Sequence, residues 1–535
     1  MGFDYQSLAS GQFQMPDGWK LTTIEEVAKV NEKAITPKNA PPHIRYIDIA
    51  SVDKGKILDI QELSFKAAPS RARRVVRDKD SLISTVRPNL EHYMFVKEPE
   101  PNTIASTGFA VVSAKAVVPR FLYYYMTSKP FTAYLTQIAE SHTSAYPAFN
   151  PDVIEQAELI LPKDDEQRAI AHILGSLDDK IELNRRMNQT LEATARAIFK
   201  SWFVDFLPVR AKMAAKANDP LLLLPQAEPG MWFVYAIECE DGSLYIGQTE
   251  DLRQRWLQHA SGKGGTWTKT HPPKRVVYWE RQPSREEAVE REKWLKTGFG
   301  RKWLKKEVAA IARTQTGDPV RAKGEGRPIG LPDDIAALFP DSFEDSELGE
   351  IPKGWEVKTI GDVVEFAYGK ALKASDRKPG DVPVFGSNGQ VGLHNKALVK
   401  GPGIVIGRKG NPGIVTWSYE DFFPIDTTFY VKRTRVISSL KYLFFALKTQ
   451  DLPSLSADSA VPGLNRNLAY LSKILIPHEK VLTPFDGHID PLFQMIYANE
   501  KEINTLASLR DTLLPKLISG ELRIPEAEAI VEGVE

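Results

Sequence analysis

Residues 166–203 read EQRAIAHILGSLDDKIELNRRMNQTLEATARAIFKSWF. Leu174, Leu177, Ile181, Leu191 and Ile198 recur along this stretch at three-and-four spacing. That spacing lines them along one face of a long helix, which must bury the face against a partner. The partner lies in the same chain. A shift of 315 positions lays Pro162 on Pro477, Leu177 on Leu492, Ile181 on Ile496, Asn184 on Asn499, Leu191 on Leu506 and Ile198 on Leu513. A matched helix near the C-terminus makes the chain an internal duplication. About 40 residues at ~1.5 Å each give a rod of roughly 60 Å. One heptad seam runs Leu177, Asn184, Leu191, Ile198, with Leu492, Asn499, Leu506, Leu513 in the copy. A second runs Leu174, Ile181, Asn188, Ala195, with Ile489, Ile496, Ile503, Arg510. The paired asparagines Asn184 and Asn499 either fix register inside a coiled pair or sit solvated at its edge.

The chain has 535 residues, enough for three or four domains. Its hydrophobic content of 42% suits several soluble cores. No apolar run approaches the ~20 residues of a membrane span, and MGFDYQSLASGQF has no signal or presequence pattern. The single cysteine, Cys239, excludes a disulfide framework and a cysteine-based zinc site, so a cytoplasmic setting is expected. The formal net charge is +0, so any nucleic-acid surface must come from local clustering.

In chain order, residues 1–160 hold short β-branched, aromatic-rich runs (IRYIDIASV, SLISTVRP, STGFAVVSA) and a helical run, the pattern of an α+β domain. The basic cluster RARRVV at 71–76 and Arg87 lie within it. The long helix takes 161–207, and a Pro- and Ala-rich linker follows at 208–230. A compact segment at 231–313 is followed by a second linker at 314–350. The tag PVRAK occurs on both flanks, at 208–212 and 319–323, as an insertion with local duplication would leave it. Residues 351–476 then repeat the first half, Trp355 falling on Trp19 and GIVIGRKG on SLISTVRP, so that Arg408 takes the place of Arg87. The second long helix takes 477–520, and the acidic tail 521–535 is expected to fray. Gly386-Ser387-Asn388-Gly389 reads as a hairpin turn.

Two α+β units each followed by a long helix resemble the specificity subunit of type I restriction–modification systems. The phrases EQRAIAHILGSLDDKIELNRRMNQTLEATARAIFKSWFVDF, PDSFEDSELGEIPKGWEV and LASLRDTLLPKLISGEL carry the likeness. The resemblance implies a multidomain α+β protein with two target-recognition domains separated by two long helices in an antiparallel coiled-coil pair. Each domain would read half of a bipartite double-stranded DNA site. The helices would space them and dock methyltransferase subunits and, through these, restriction motor subunits. Phosphate contacts from basic side chains supply salt-dependent affinity, and a few contacts to base edges give sequence choice. Candidates are Arg71, Arg73, Arg74 and Arg87 in the first module, and Lys370, Lys373, Arg408 and Lys409 in the second. Arg408-Lys409 between glycines stands out, because flanking glycines allow close approach to phosphate. No G-x-x-x-x-G-K-[ST] loop occurs, and Asn150-Pro151 is followed by Asp152 rather than a second proline. ATP and S-adenosylmethionine are therefore expected only on partners.

The inserted stretch FVYAIECEDGSLYIGQTEDLRQRWLQHASGKGG onward resembles the GIY-YIG nuclease family, a small α/β domain. The likeness rests on Tyr235, the turn Asp241-Gly242, Tyr245-Ile246-Gly247, Arg255 and His259 on one helix, and Glu292 with Lys296 on a later one. The first triplet is Phe-Val-Tyr rather than Gly-Ile-Tyr, and no asparagine follows Glu292 within the domain. Hydrolysing a phosphodiester needs a base for water, positive charge at the pentacovalent centre and help for the leaving oxygen. The resemblance implies Tyr245 as general base with Tyr235 hydrogen-bonded nearby, Arg255 on the phosphate and His259 assisting proton transfer. Glu292 would be the sole protein ligand of a hydrated Mg²⁺. Lys263, Lys269, Lys274 and Arg275 would guide the backbone. Three functions follow as expectations: a specificity subunit with an active nuclease, a specificity subunit whose insertion only adds DNA affinity, or a free-standing endonuclease.

Overall fold

The computed structural model describes residues 15–142, 147–217, 221, 224–225, 227, 230–315, 331–457 and 463–533. The second PVRAK tag lies outside the described residues. The chain divides into two compact units, Met1–Arg186 with Asn499–Glu535, and Met187–Ala498. The first long helix is Asp164–Phe203 and the second Glu479–Ser519, so both units hold part of each helix.

In the first unit, strands Gln61–Ser64, His43–Ile47, Thr103–Ser106 and Ala72–Val75 form one sheet in that order. Strands Ala28–Val30, Phe109–Ala114, Ser81–Ser84 and Tyr93–Phe95 form another. Lys20–Thr23 pairs antiparallel with Glu158–Leu161, the strand that feeds the first long helix. Leu174, Leu177 and Ile181 of that helix share a core with Leu506, Leu513 and Leu517 of the second and with Phe121, Tyr124 and Tyr125. The opening segment of one helix therefore meets the closing segment of the other, an antiparallel pairing. Truncating Leu174 to alanine in such a core would cost roughly 2–5 kcal/mol. Asn184 is 2% exposed and donates from Nδ2 to Glu502 Oε2 at 2.7 Å, so it lies inside the pair rather than at a solvated edge. The tail does not fray over its described length. Ile524–Glu532 is helical, and Ile524, Ala527 and Val531, at three-and-four spacing, pack on the same core.

The second unit repeats this plan. Glu356–Thr359 pairs antiparallel with Lys473–Ile476, the strand before the second long helix. Strands Val364–Tyr368, Thr428–Arg433, Gly403–Gly407 and Val415–Ser418 form a sheet in the same order as their counterparts in the first unit. Register corrects one sequence expectation. Ala114 pairs with Ala28 and Phe109 with Ser84, while Arg433 pairs with Val364 and Thr428 with Gly407. Ser84 and Gly407 are thus equivalent, Arg408 stands level with Thr85, and Arg87 lies two residues farther along. The hairpin expected at Gly386–Gly389 is present, with these two glycines opposite each other. Phe199, Trp202 and Phe203 of the first long helix bury against Phe339, Trp355, Tyr442 and Phe485, with Phe203 and Tyr442 edge-to-face at 4.8 Å.

Both expected linkers are partly built into this unit. Leu207–Ala217, rich in strong helix formers, is a helix that buries Val209, Arg210, Ala211 and Ala214. In the second linker, Asp333–Leu338 is helical and Phe343–Ser346 pairs with Gly349–Pro352, because Phe339 and Ile351 belong to the core.

The inserted domain is a three-stranded antiparallel sheet centred on β1 (Trp232–Cys239), with β2 (Leu244–Thr249) on one side. The sequence continues through α1 (Leu252–Ala260), α2 (Thr266–Thr270), β3 (Pro273–Gln282) on the other side of β1, and α3 (Arg285–Lys296). Alternation along β1 sends Val234 and Ala236 to a core with Ile246, Ala288 and Leu295. Phe233, Tyr235 and Ile237 go to the opposite face, with Leu252 and Leu224. Among the described residues no helix is long and apolar enough to cross a membrane.

Candidate functional site

The second face of the inserted sheet carries a chain of hydrogen bonds. Tyr235 stands opposite Gly247 in the β1–β2 register, and a Cβ at Gly247 would lie 2.6 Å from the tyrosine hydroxyl. Only glycine leaves that room. Arg255 and His259, four residues apart, share a face of α1 and both reach Tyr235. Tyr235 Oη lies 2.9 Å from His259 Nε2 and accepts from Arg255 Nε at 3.3 Å. His259 Nδ1 is 2.8 Å from Thr268 Oγ1, whose hydroxyl donates to the Gly265 carbonyl at 3.0 Å. With that proton committed, the Thr268 oxygen accepts from Nδ1–H. Nε2 is then the acceptor for the Tyr235 hydroxyl proton.

His259 is 0% exposed. Burial, reinforced by the charge of Arg255, lowers its pKa to about 4, so the imidazole is neutral. Burial also raises the Tyr235 hydroxyl, although Arg255 acts the other way. A buried histidine cannot touch a substrate directly, so any proton it moves passes through Tyr235. Tyr245 is only half-buried, with its ring centroid 4.8 Å from that of His259 and 6.2 Å from that of Tyr235. Its influence, like that of Tyr235, raises the Arg255 guanidinium against the opposing effect of burial. The expected partner of Tyr235 changes accordingly: its hydroxyl is engaged by His259 and Arg255. Glu292 on α3 lies close enough for its charge to act on Tyr235, and its Oε1 takes Lys296 Nζ at 2.5 Å.

Sequence reading missed Thr268, Gly264 and Gly265. A Cβ at Gly264 would run into His259 Nδ1, and one at Gly265 would lie 3.1 Å from the Tyr245 hydroxyl. The run Gly264-Gly265-Thr266 was the available signal, unreadable until the chain brings it against His259. Lys263 and Lys269 are exposed and meet no carboxylate among the described residues. Lys274 and Arg275 instead pair with Glu238, at 3.5 and 2.7 Å, which blunts them as backbone guides.

In the first module, Arg71 faces Asp48 at 3.5 Å, and Arg73 lies over the Phe65 ring at 5.3 Å. Arg74 is half-buried, its guanidinium lowered by burial. These three belong to the strand Ala72–Val75 and its approach, whereas exposed Arg87 follows a strand of the other sheet. The structure does not gather the four on one strand. In the second module, Lys370, Lys373 and Lys409 are exposed. Arg408 lies over the Tyr368 ring at 5.1 Å and Arg466 over the same ring at 5.0 Å, Tyr368 being 51% exposed. Tyr368 and Arg466 sit far apart in sequence, so no local motif announces this cluster.

Residues 231–306 match the GIY-YIG catalytic domain. Residues 16–193 and 352–479, together more than half of the chain, match the type I restriction modification DNA specificity domain. The chain belongs to the family of type I restriction–modification DNA specificity subunits and carries a GIY-YIG domain between its two halves. The type I restriction enzyme HindI specificity subunit of Haemophilus influenzae is 27% identical over 543 residues, covering 94% of this chain and 99% of that protein. A UPF0213 protein of Staphylococcus epidermidis is 43% identical over 65 residues, 12% of this chain and 79% of its own length. The solved S subunit of a type I restriction–modification system from M. genitalium covers 95% of this chain and 98% of its own, at 14% identity and a TM-score of 0.43.

Proposed function

We propose that this chain selects a two-part double-stranded DNA site for a type I restriction–modification complex and cleaves phosphodiesters through its inserted domain. Recognition follows from family membership and from the duplicated modules, each ending in a long helix. Methyltransferase subunits dock on the helix pair, restriction motor subunits join through them, and S-adenosylmethionine and ATP stay with those partners. The likeness to a named type I specificity subunit over nearly its whole length supports this assignment.

The observation that carries the nuclease reading is the partition of the two tyrosines. Tyr235 is 1% exposed with its hydroxyl committed to His259, while Tyr245 is only half-buried and reaches Arg255. Arg255 takes a phosphate oxygen. Tyr245, acting as general base, takes the proton of the attacking water as the water oxygen bonds to phosphorus, and one P–O ester bond breaks with its oxygen leaving as the alkoxide. Among the described residues no three His, Cys, Asp or Glu side chains gather into a metal cage. A lone carboxylate suits Mg²⁺, which keeps most of its water, and the ion pair with Lys296 uses only Oε1 of Glu292. Glu292 would hold that ion, which would supply charge stabilisation at the departing oxygen.

Co-expression with a type I methyltransferase subunit tests the recognition half. The full chain and a variant deleted over residues 218–316, which keeps the helix Leu207–Ala217, should both co-purify with it and direct methylation to the same site. Methylation lost on deletion would contradict the separation of recognition from the insertion.

A further inference from the structure

Helix α2 has two sides with different tasks. Inward, Thr268 holds His259, and Gly265 lies against the Tyr245 hydroxyl. Outward, Trp267 is 48% exposed. An indole left so open forgoes hydrophobic burial, yet it is held firmly. The His271 ring stacks on it with centroids 3.9 Å apart and planes 5° from parallel. His271 Nδ1 is fixed 3.1 Å from the Trp267 carbonyl and 2.9 Å from the Thr270 hydroxyl, and its Nε2 faces Asp241 at 3.7 Å. Trp267 meets no second ring among the described residues, and with one face under His271 its 48% exposure falls on the rest of the indole.

A flat, preorganised and exposed ring suits a flat π ligand, and Lys263 and Lys269 beside it, unpaired with carboxylates among the described residues, suit a phosphate backbone. Nucleic acid carries both features. Within a continuous duplex each base is already stacked on both sides, so this indole can pair only with a base that has left the stack or never joined it.

We propose that Trp267, backed by His271, is a stacking platform for an unpaired nucleobase of the strand passing Tyr245. The inserted domain therefore takes DNA that is single-stranded, or locally unpaired, beside the cleaved bond. The nuclease reading enters this inference only in placing the strand.

The test is binding by the full chain in the presence of a chelator, where nothing is cut. The probes are a short single-stranded oligonucleotide carrying 2-aminopurine and a dumbbell duplex of the same sequence closed at both ends by non-nucleotide linkers, which offers no unpaired base. The wild-type chain should quench 2-aminopurine on binding. Trp267→Ala should lose the quench and bind the single strand about 10-fold more weakly, with dumbbell binding unchanged and Trp267→Phe close to wild type. Absence of quenching by the wild type, single-strand binding unaffected by Trp267→Ala, or equal losses on both probes would overturn the proposal. Failure of cleavage alone leaves this contrast standing, and loss of the contrast alone leaves cleavage standing, so the two readings fail separately.

Discussion

Arg510 occupies a seam position of the second long helix and donates from Nη1 to Asp178 Oδ1 of the first at 2.7 Å. Tyr124 donates its hydroxyl to the other oxygen of the same carboxylate at 2.6 Å. Where the heptad pattern asks for an apolar residue, the first unit uses a charge-assisted bond linking both helices to the recognition module. The two side chains are 23% and 22% exposed, so the pair is worth less than a fully buried one.

Arg510→Ala should therefore destabilise the first unit by about 1–3 kcal/mol, because Asp178 keeps its desolvation and loses its cation. Calorimetric melting of the full chain reads this as a lowered first transition. Replacing Arg510 and Asp178 together by leucine should recover part of the loss, since an apolar pair suits the seam.

The inserted domain should lose stability on acidification. The His259 pKa falls from an ordinary 6.5 to about 4 in the folded state. The unfolded chain takes up this proton as pH drops through 6.5, while the folded state refuses it until about 4. The stabilisation is fully present above the first value and erodes toward the second. Urea titrations across that window should show the erosion in the wild type and a flatter profile in His259→Gln.

The duplication was legible because both helices carry the same spacing and even the same polar residue, Asn184 matching Asn499. The register of Arg408 was not, since strand equivalence is set by hydrogen-bond partners such as Ser84 with Phe109 and Gly407 with Thr428. Tyr235, Tyr245, Arg255, His259 and Glu292 could be placed from their order in the inserted stretch. Thr268 could not, because its role depends on a loop folding back on His259. Linker composition misled at 208–217, where alanine-rich sequence forms a helix that buries Val209 and Ala214. The acidic tail misled for a similar reason, its apolar spacing outweighing its charge.

Thr268 positions His259 rather than touching substrate. Thr268→Val keeps the shape but removes the acceptor for Nδ1–H, freeing the imidazole to turn its other nitrogen toward Tyr235. Cleavage turnover should drop about 10- to 100-fold with KM little changed, and Thr268→Ser should restore most of it. A merely structural role would instead lower stability in both variants without separating turnover from KM.

Arg408 and Arg466 flank the exposed ring of Tyr368. If Arg408 meets a phosphate, Arg408→Ala should weaken binding to every DNA alike and lower the slope of log K against log salt by about one. If it meets a base edge, the loss should be confined to one position of the site and amount to about 1–3 kcal/mol. Salt titrations on cognate and singly substituted duplexes separate the outcomes.

The proposed phosphodiester cleavage by the inserted domain is tested most directly by incubating the purified full chain with Mg²⁺ and DNA containing a locally unpaired segment, beside Tyr245→Phe and Glu292→Gln. The nuclease reading predicts metal-dependent strand breaks by the wild type that fall about 100-fold or more in both variants. Breaks of equal rate in all three proteins, or none from the wild type, would contradict it.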